Sequence, residues 1–191
     1  MRGYFGVGVE GINKVMNVGN LFRTAHAFGA SFVFTVAATY KREEGARADT
    51  SDSLAHVPFY TFPNLPSIQL PEKCALVGIE LTPDAVGLPS FHHPSRAAYI
   101  LGPERGSISP ELTAKCDHII KIPTSFCVNV GIAGAIVMYD RVKSLGNYPQ
   151  RPARPGGPTE FDMNPKHNHG EQIIRSKMEP FRDTPPEGYN D

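Results

Sequence analysis

Asn17, Arg23, Glu104 and Asn129 are the residues of this 191-residue chain whose types and settings could do chemistry. Asn17 opens Asn17-Val18-Gly19-Asn20, which reads as a turn at the mouth of an amphipathic helix. Backbone N–H groups and an Asn side chain placed there can face a ligand, with the positive end of the helix behind them. Arg23 projects from that helix among apolar residues. Its guanidinium keeps its proton and carries a planar fork of donors, suited to a phosphate or to an oxygen gaining negative charge. Glu104 lies in Gly102-Pro103-Glu104-Arg105-Gly106, where its carboxylate can fix a neighbouring Asn or Arg. Asn129 stands at the start of the last helical pattern, as an N-cap or as a wall of the same crevice. Each also has a plain structural reading: a capped helix with a surface arginine, a turn, an N-cap.

Positioning these groups falls to an alternation of strands and helices. Tyr4–Val9 is a β-prone run, a helix follows over Val18–Phe28 with Gly29 suited to its C′ position, and Ser31–Val36 is the next strand. Strand, helix, strand implies parallel pairing with a right-handed crossover. Lys41–Ser53 reads as a polar loop and His56–Phe62 as a short strand. Ala75–Leu81 and Ala97–Gly102 are nearly continuous in apolar character, as strands covered on both faces are. His118–Ile122 is the last strand. Cys127–Leu145 turns helical, with Val130, Ala133, Ala135, Ile136, Val137, Tyr139 and Val142 on a broad face and Asp140, Arg141 and Lys143 opposite. Gly131 and Gly134 are small enough to permit close packing there. The fold class is α/β with a parallel sheet, in which a glycine loop at a strand's carboxyl end is where ligands bind. Residues 1–146 form one domain. Residues 147–191 begin with a Pro/Gly-rich stretch and read as an extended or disordered tail.

The chain carries no net charge, so any nucleic-acid contact would need locally clustered basic residues. Cys74, Cys116 and Cys127 are odd in number and show no zinc-ligand spacing, which reads as buried thiols in a reducing compartment. The start shows no signal peptide and no run reaches membrane-spanning length, so a soluble cytoplasmic protein is expected. His92-His93, His167 and His169 lack partners at metal spacing and read as loop and tail residues, with no metal expected.

Three segments in order carry a resemblance: N-x-G-x-x-x-R-T-A-x-A-F-G from Asn17 to Gly29, L-G-P-E-x-G from Leu101 to Gly106, and I-P…N-V-x-x-A from Ile122 to Ala133. Together they resemble the TrmH/SpoU branch of the SPOUT superfamily, S-adenosylmethionine-dependent RNA ribose 2′-O-methyltransferases, in a minimal single-domain form. The resemblance implies a parallel-sheet fold with a C-terminal trefoil knot, working as a homodimer. It implies S-adenosyl-L-methionine held by Glu80, Leu81, Leu101, Gly102, Gly106, Ile122, Cys127 and Val128. Arg23 matches the arginine implicated in activating the ribose hydroxyl, with Asn17 and Glu104 orienting it and Asn129 holding the third loop. Arg23, Lys41, Arg42, Arg47 and Arg105 are the residues expected to meet RNA, and tRNA is favoured over rRNA. A noncatalytic RNA-binding protein with the same fold is the alternative. A flavodoxin-like nucleotide enzyme is disfavoured, because Glu10-Gly11-Ile12-Asn13-Lys14 makes a poor phosphate loop. The third segment departs from the Ser-x-Asn-x-Ser pattern: Cys127 and Gly131 replace both serines, leaving Thr124 or Ser125 to supply a hydroxyl.

Overall fold

The structure, a computed structural model, describes residues 3–39, 56–146, 148–149, 151–152 and 155–157. The loop Lys41–Ser53 with its Lys41, Arg42 and Arg47, and the tail's Arg154, His167 and His169, lie outside the described residues. The chain divides into two units, Met1–Asn147 and Tyr148–Asp191, and every element named below belongs to the first.

Seven strands make one sheet: β1 Tyr4–Glu10, β2 Phe32–Val36, β3 Phe59–Phe62, β4 Ala75–Ile79, β5 Val86–Gly87, β6 Arg96–Leu101 and β7 His118–Lys121. Their order is β3-β2-β1-β6-β4-β7-β5, and every pairing is parallel. The continuous apolar character of the central strands has a direct cause. Side chains alternate between two faces, and both faces are covered. Phe5, Val7, Val9, Val33, Val77, Tyr99 and Leu101 join one core with residues of two long helices, α1 Val15–Ala27 and α3 Val130–Leu145. Phe32, Phe34, Val36, Leu76, Ala98 and Ile100 join a second core with Leu112 of the short helix α2, Pro110–Lys115. The two long helices lie against each other, and a Cβ on Gly134 would stand only 2.4 Å from Leu21 Cδ1. Its missing side chain lets the helices meet.

Two elements escaped the sequence pattern. β5 pairs with β7 through only Val86 and Gly87, too few residues for a period to show. α2 carries its start signals, with Ser109 as N-cap accepting from Leu112 N–H and Pro110 in the first turn, but six residues show no repeat. Helix α1 also begins at Val15, so Asn17-Val18-Gly19-Asn20 lies inside the helix and is no turn before it. Its C-terminal end is as expected, with Gly29 at φ +74°.

Helix α3 corrects the assignment of its faces. Arg141 is fully buried and Met138 with it, whereas Tyr139 is 55 % exposed. His93 is buried too, bonded to Tyr99 Oη at 2.6 Å and to Asp140 Oδ2 at 3.0 Å, and is no idle loop residue. Of the thiols, Cys74 and Cys116 are half-buried, but Cys127 is exposed. Burial pushes the Cys116 thiol up to about 11. Among the described residues no helix is long and apolar enough to cross a membrane, and no group of side chains could hold a metal ion.

Candidate active site

The ends of β4 and β6, the loop beyond β7, and the first turns of α1 and α3 enclose a cleft of about 320 Å³. It opens beyond the carboxyl ends of the strands, where parallel sheets leave room for ligands. Glu80, Leu81, Leu101, Gly102, Gly106, Ile122, Cys127 and Val128 all line it. So do Asn17, Glu104 and Asn129.

The last three are joined in one hydrogen-bonded relay. Asn129 Nδ2 donates to Asn17 Oδ1 at 3.1 Å, and Asn17 Nδ2 donates to Glu104 Oε1 at 3.0 Å. An Asn side chain both donates and accepts, so it can pass the connection across the cleft. At the far end Asn129 Oδ1 accepts from Gly131 N–H at 2.9 Å, which makes it the N-cap of α3. Glu104 also accepts from the backbone N–H groups of Lys14 at 3.0 Å and Asn13 at 3.4 Å. These bonds explain the early start of α1. Lys14 is its N-cap and offers no side-chain acceptor to the first turn, and Glu104 instead anchors the N–H groups of Lys14 and of the residue before it from another loop.

Burial works to raise the Glu104 pKa, but its hydrogen bonds outweigh this and hold the carboxyl below its ordinary value of 4.5. A carboxylate so held is a poor proton acceptor and a good fixed acceptor of hydrogen bonds. Glu104→Gln would bring an amide NH2 against donors, and is expected to cost about 1–2 kcal/mol. Melting followed from pH 7 to pH 3 checks this. A group with a lowered folded pKa contributes stability above its unfolded value, about 4.5, and loses it as pH falls through the folded one. The variant should therefore melt lower at pH 7 and close its gap to the native chain in acid. An unchanged gap at pH 3 would refute the assignment.

Glu80 is engaged in the same manner. Its two oxygens accept from Leu81 N–H and Ile108 N–H, each at 2.9 Å, tying the end of β4 to the segment after the glycine loop. Glu10, at the end of β1, holds Ser109 through its N–H at 2.7 Å and its hydroxyl at 2.6 Å. The loop between folds tightly: a Cβ on Gly102 would meet Ile108 N at 2.9 Å, and Gly106 stands at φ +114°, where side chains are strained.

Other candidates lie elsewhere. Arg23 is exposed on α1 and outside the cleft lining, roughly 9 Å further along the helix axis than Asn17. Arg105 is likewise exposed and outside it. Of the two hydroxyls considered as replacements for the missing serines, Thr124 lines the cleft and Ser125 does not. Lys14, Ile79, Pro103, Val130 and Ala133 line it without having been singled out from sequence. For Lys14 a signal existed, since it stands one helical turn before Asn17.

The first turn of α1, the glycine loop after β6 and the N-cap of α3, tied by side-chain hydrogen bonds at the carboxyl edge of a parallel sheet, frame a cleft of the kind in which α/β proteins hold ligands. This chain belongs to the SpoU rRNA Methylase family, whose model matches residues 5–139. It is 26% identical over 145 residues to the mouse tRNA (guanosine(18)-2'-O)-methyltransferase TARBP1, covering 71% of this chain and 9% of that protein. Among solved structures it is similar to an AdoMet-bound rRNA methyltransferase from Sinorhizobium meliloti, with a TM-score of 0.68 at 22% identity. That match covers 76% of this chain and 58% of the other. A structure described as giving insights into 2-OH methylation of C/U34 on tRNA matches with a TM-score of 0.66 at 18% identity, covering 76% of this chain and 92% of that one. At these identities the solved structures show the fold, a SPOUT methyltransferase fold. The chain thus spans a small part of the mouse relative and little more than half of the bacterial one.

Proposed function

We propose that this chain transfers a methyl group from S-adenosyl-L-methionine to a ribose 2′-hydroxyl in structured RNA, with tRNA favoured over rRNA. The observation that carries the reading is the Glu104–Asn17–Asn129 relay, which joins all three family segments around one cleft. The cleft chemistry fits the cofactor: apolar Ile79, Leu101, Ile122 and Val128 suit an adenine, and strand-end backbone groups beside Gly102 suit its polar edge. When bound, the cofactor supplies an electrophilic methyl on a sulfonium.

The protein's share is alignment and electrostatics. Asn17 and Glu104 form a rigid wall for the ribose. Glu104 orients and does not take the proton, given its lowered pKa. Arg23, exposed on α1 outside the cleft lining, presents a charged fork to the oxygen that gains negative character once substrate spans that distance, and the hydroxyl proton leaves to water or a substrate phosphate. Thr124 offers the hydroxyl that Cys127 and Gly131 no longer can. Arg105 and the residues Lys41, Arg42 and Arg47 serve the RNA backbone in this reading. The knotted path and the homodimer implied by the resemblance belong to it as well. Exposed Met16, Ile132 and Tyr139 on α1 and α3 support a partner surface, and three cysteines without a disulfide suit a cytoplasmic setting.

Calorimetry with the cofactor, followed by mapping of ribose methylation on tRNA and rRNA incubated with the full chain, tests the proposal. Micromolar to millimolar binding and one methylated position are expected. RNA binding without any cofactor binding would establish the noncatalytic alternative, toward which the two lost serines point.

A further inference from the structure

Among the described residues, Lys14 is the sole cation that lines the cleft. Its backbone is held at both ends. The N–H donates to Glu104 at 3.0 Å, and the carbonyl accepts from Asn17 N–H at 3.0 Å and Val18 N–H at 3.3 Å. Its ammonium, by contrast, makes no ion pair or hydrogen bond with a described residue. A protein carboxylate does not explain its presence. Among the described residues the cleft has two, and each is occupied: Glu104 by Asn17, Asn13 and Lys14 N–H groups, Glu80 by Leu81 and Ile108 N–H groups. The charge also stands at the N-cap of α1, where a cation opposes the helix dipole and no acidic residue in the first turn relieves it. An exposed lysine fixed at its backbone and lining an open cleft, with no described partner for its ammonium, can receive an anion.

We propose that Lys14 is a positioning residue that holds an anionic oxygen of the substrate, the RNA phosphate beside the target ribose. The inference rests on the methyltransferase reading of the cleft. Two anions could reach it, a phosphate of the RNA and the carboxylate at the methionine end of the cofactor. The phosphate is favoured because Lys14 shares its wall with Asn17 and Glu104, the ribose side. The residues proposed to hold the adenosine, Glu80, Leu81, Ile122 and Val128, come instead from the end of β4 and the loop beyond β7. A contact to phosphate fixes the nucleotide's register without reading its base.

The experiment uses the full chain and its Lys14→Ala and Lys14→Arg variants, with S-adenosylmethionine and unmethylated tRNA as probes. Four quantities are read: cofactor affinity by calorimetry, RNA affinity across a salt series, and kcat and KM for RNA taken separately. Lys14→Ala should raise KM for RNA about tenfold and lower the slope of log affinity against log salt by nearly one, the signature of one lost phosphate contact. Cofactor affinity should stay within about twofold, and Lys14→Arg should restore most of the loss, since the charge and donors are kept. An unchanged RNA affinity and salt slope in Lys14→Ala would overturn the proposal. So would a fall in cofactor affinity with RNA binding intact, which would give the ammonium to the methionine carboxylate. Equal loss in both variants with lowered melting would make the residue structural and also overturn it. A native chain that binds RNA in a Lys14-dependent way but never binds the cofactor would sink the methyltransferase reading alone.

Discussion

Arg23→Ala is expected to lower the methylation turnover roughly 100- to 1,000-fold while cofactor affinity stays within about twofold, the scale seen when one donor to a developing oxyanion is removed. Such a charge-stabilising role acts only as the oxygen gains negative character, so kcat should fall with little change in KM. Arg23→Lys keeps the charge but loses the planar fork, and an intermediate turnover is expected. The guanidinium cannot be the base, because its pKa lies above about 12. The pH profile of the residual activity should therefore keep its shape when Arg23 is replaced. The structure sharpens what the test means. Arg23 lies exposed on α1 and outside the cleft, while the residues that fix the cleft wall are Asn17 and Glu104. Substrate must reach across that helix for the residue to act. Native turnover in Arg23→Ala, or a loss confined to RNA affinity, would leave the chemistry to the cleft residues.

The parallel sheet was legible because β4 and β6, buried on both faces, read as nearly continuous apolar runs, and because β1 and β2 flank a helix as β-prone runs, which implies parallel pairing. The cleft-lining loops were legible for a related reason, as each follows such a strand and bears glycine or asparagine. What joins them was not. The bond from Asn129 to Asn17 spans 112 positions, and that from Lys14 to Glu104 spans 90. Only tertiary structure brings such partners together, so the early start of α1 does not show in local spacing. Arg141 shows the opposite failure. Its place in α3 continues the buried stripe of Val130, Gly134 and Val137, yet its charge argued for the solvent side. Position was the better guide. His93 was misread alike, because its partners Tyr99 and Asp140 come from a strand and a helix later in the chain.

Arg141→Ala is expected to destabilise the folded chain by roughly 3–5 kcal/mol, the cost of a cavity plus unsatisfied acceptors. The buried guanidinium joins three parts of the fold. Nη1 donates to Pro94 O at 2.6 Å and Tyr99 Oη at 3.0 Å, and Nη2 donates to Ser95 O at 2.9 Å and Tyr4 O at 3.3 Å. Its charge faces carbonyl dipoles and the rings of Phe5 and Tyr99, at 5.2 and 5.7 Å, with no carboxylate bonded to it among the described residues. Ser95 O keeps a second donor in Tyr4 N–H, but no such bond joins Pro94 O to another described backbone group. At about 2–4 °C per kcal/mol for a domain of this size, melting should fall by roughly 6–20 °C. Arg141→Met restores volume without donors and should recover only the cavity part. Acid adds a second readout. Burial holds the His93 pKa below its ordinary value of 6.5, against the pull of Asp140. The unfolded chain then binds the proton first, so stability is full above about 6.5 and declines as pH falls toward the folded value. With the guanidinium gone, one force disfavouring a charged His93 is removed, and Arg141→Ala should lose less of its remaining stability between pH 7 and pH 5 than the native chain does. Equal melting of the variant and the native chain at pH 7 would show that the buried arginine is no clamp.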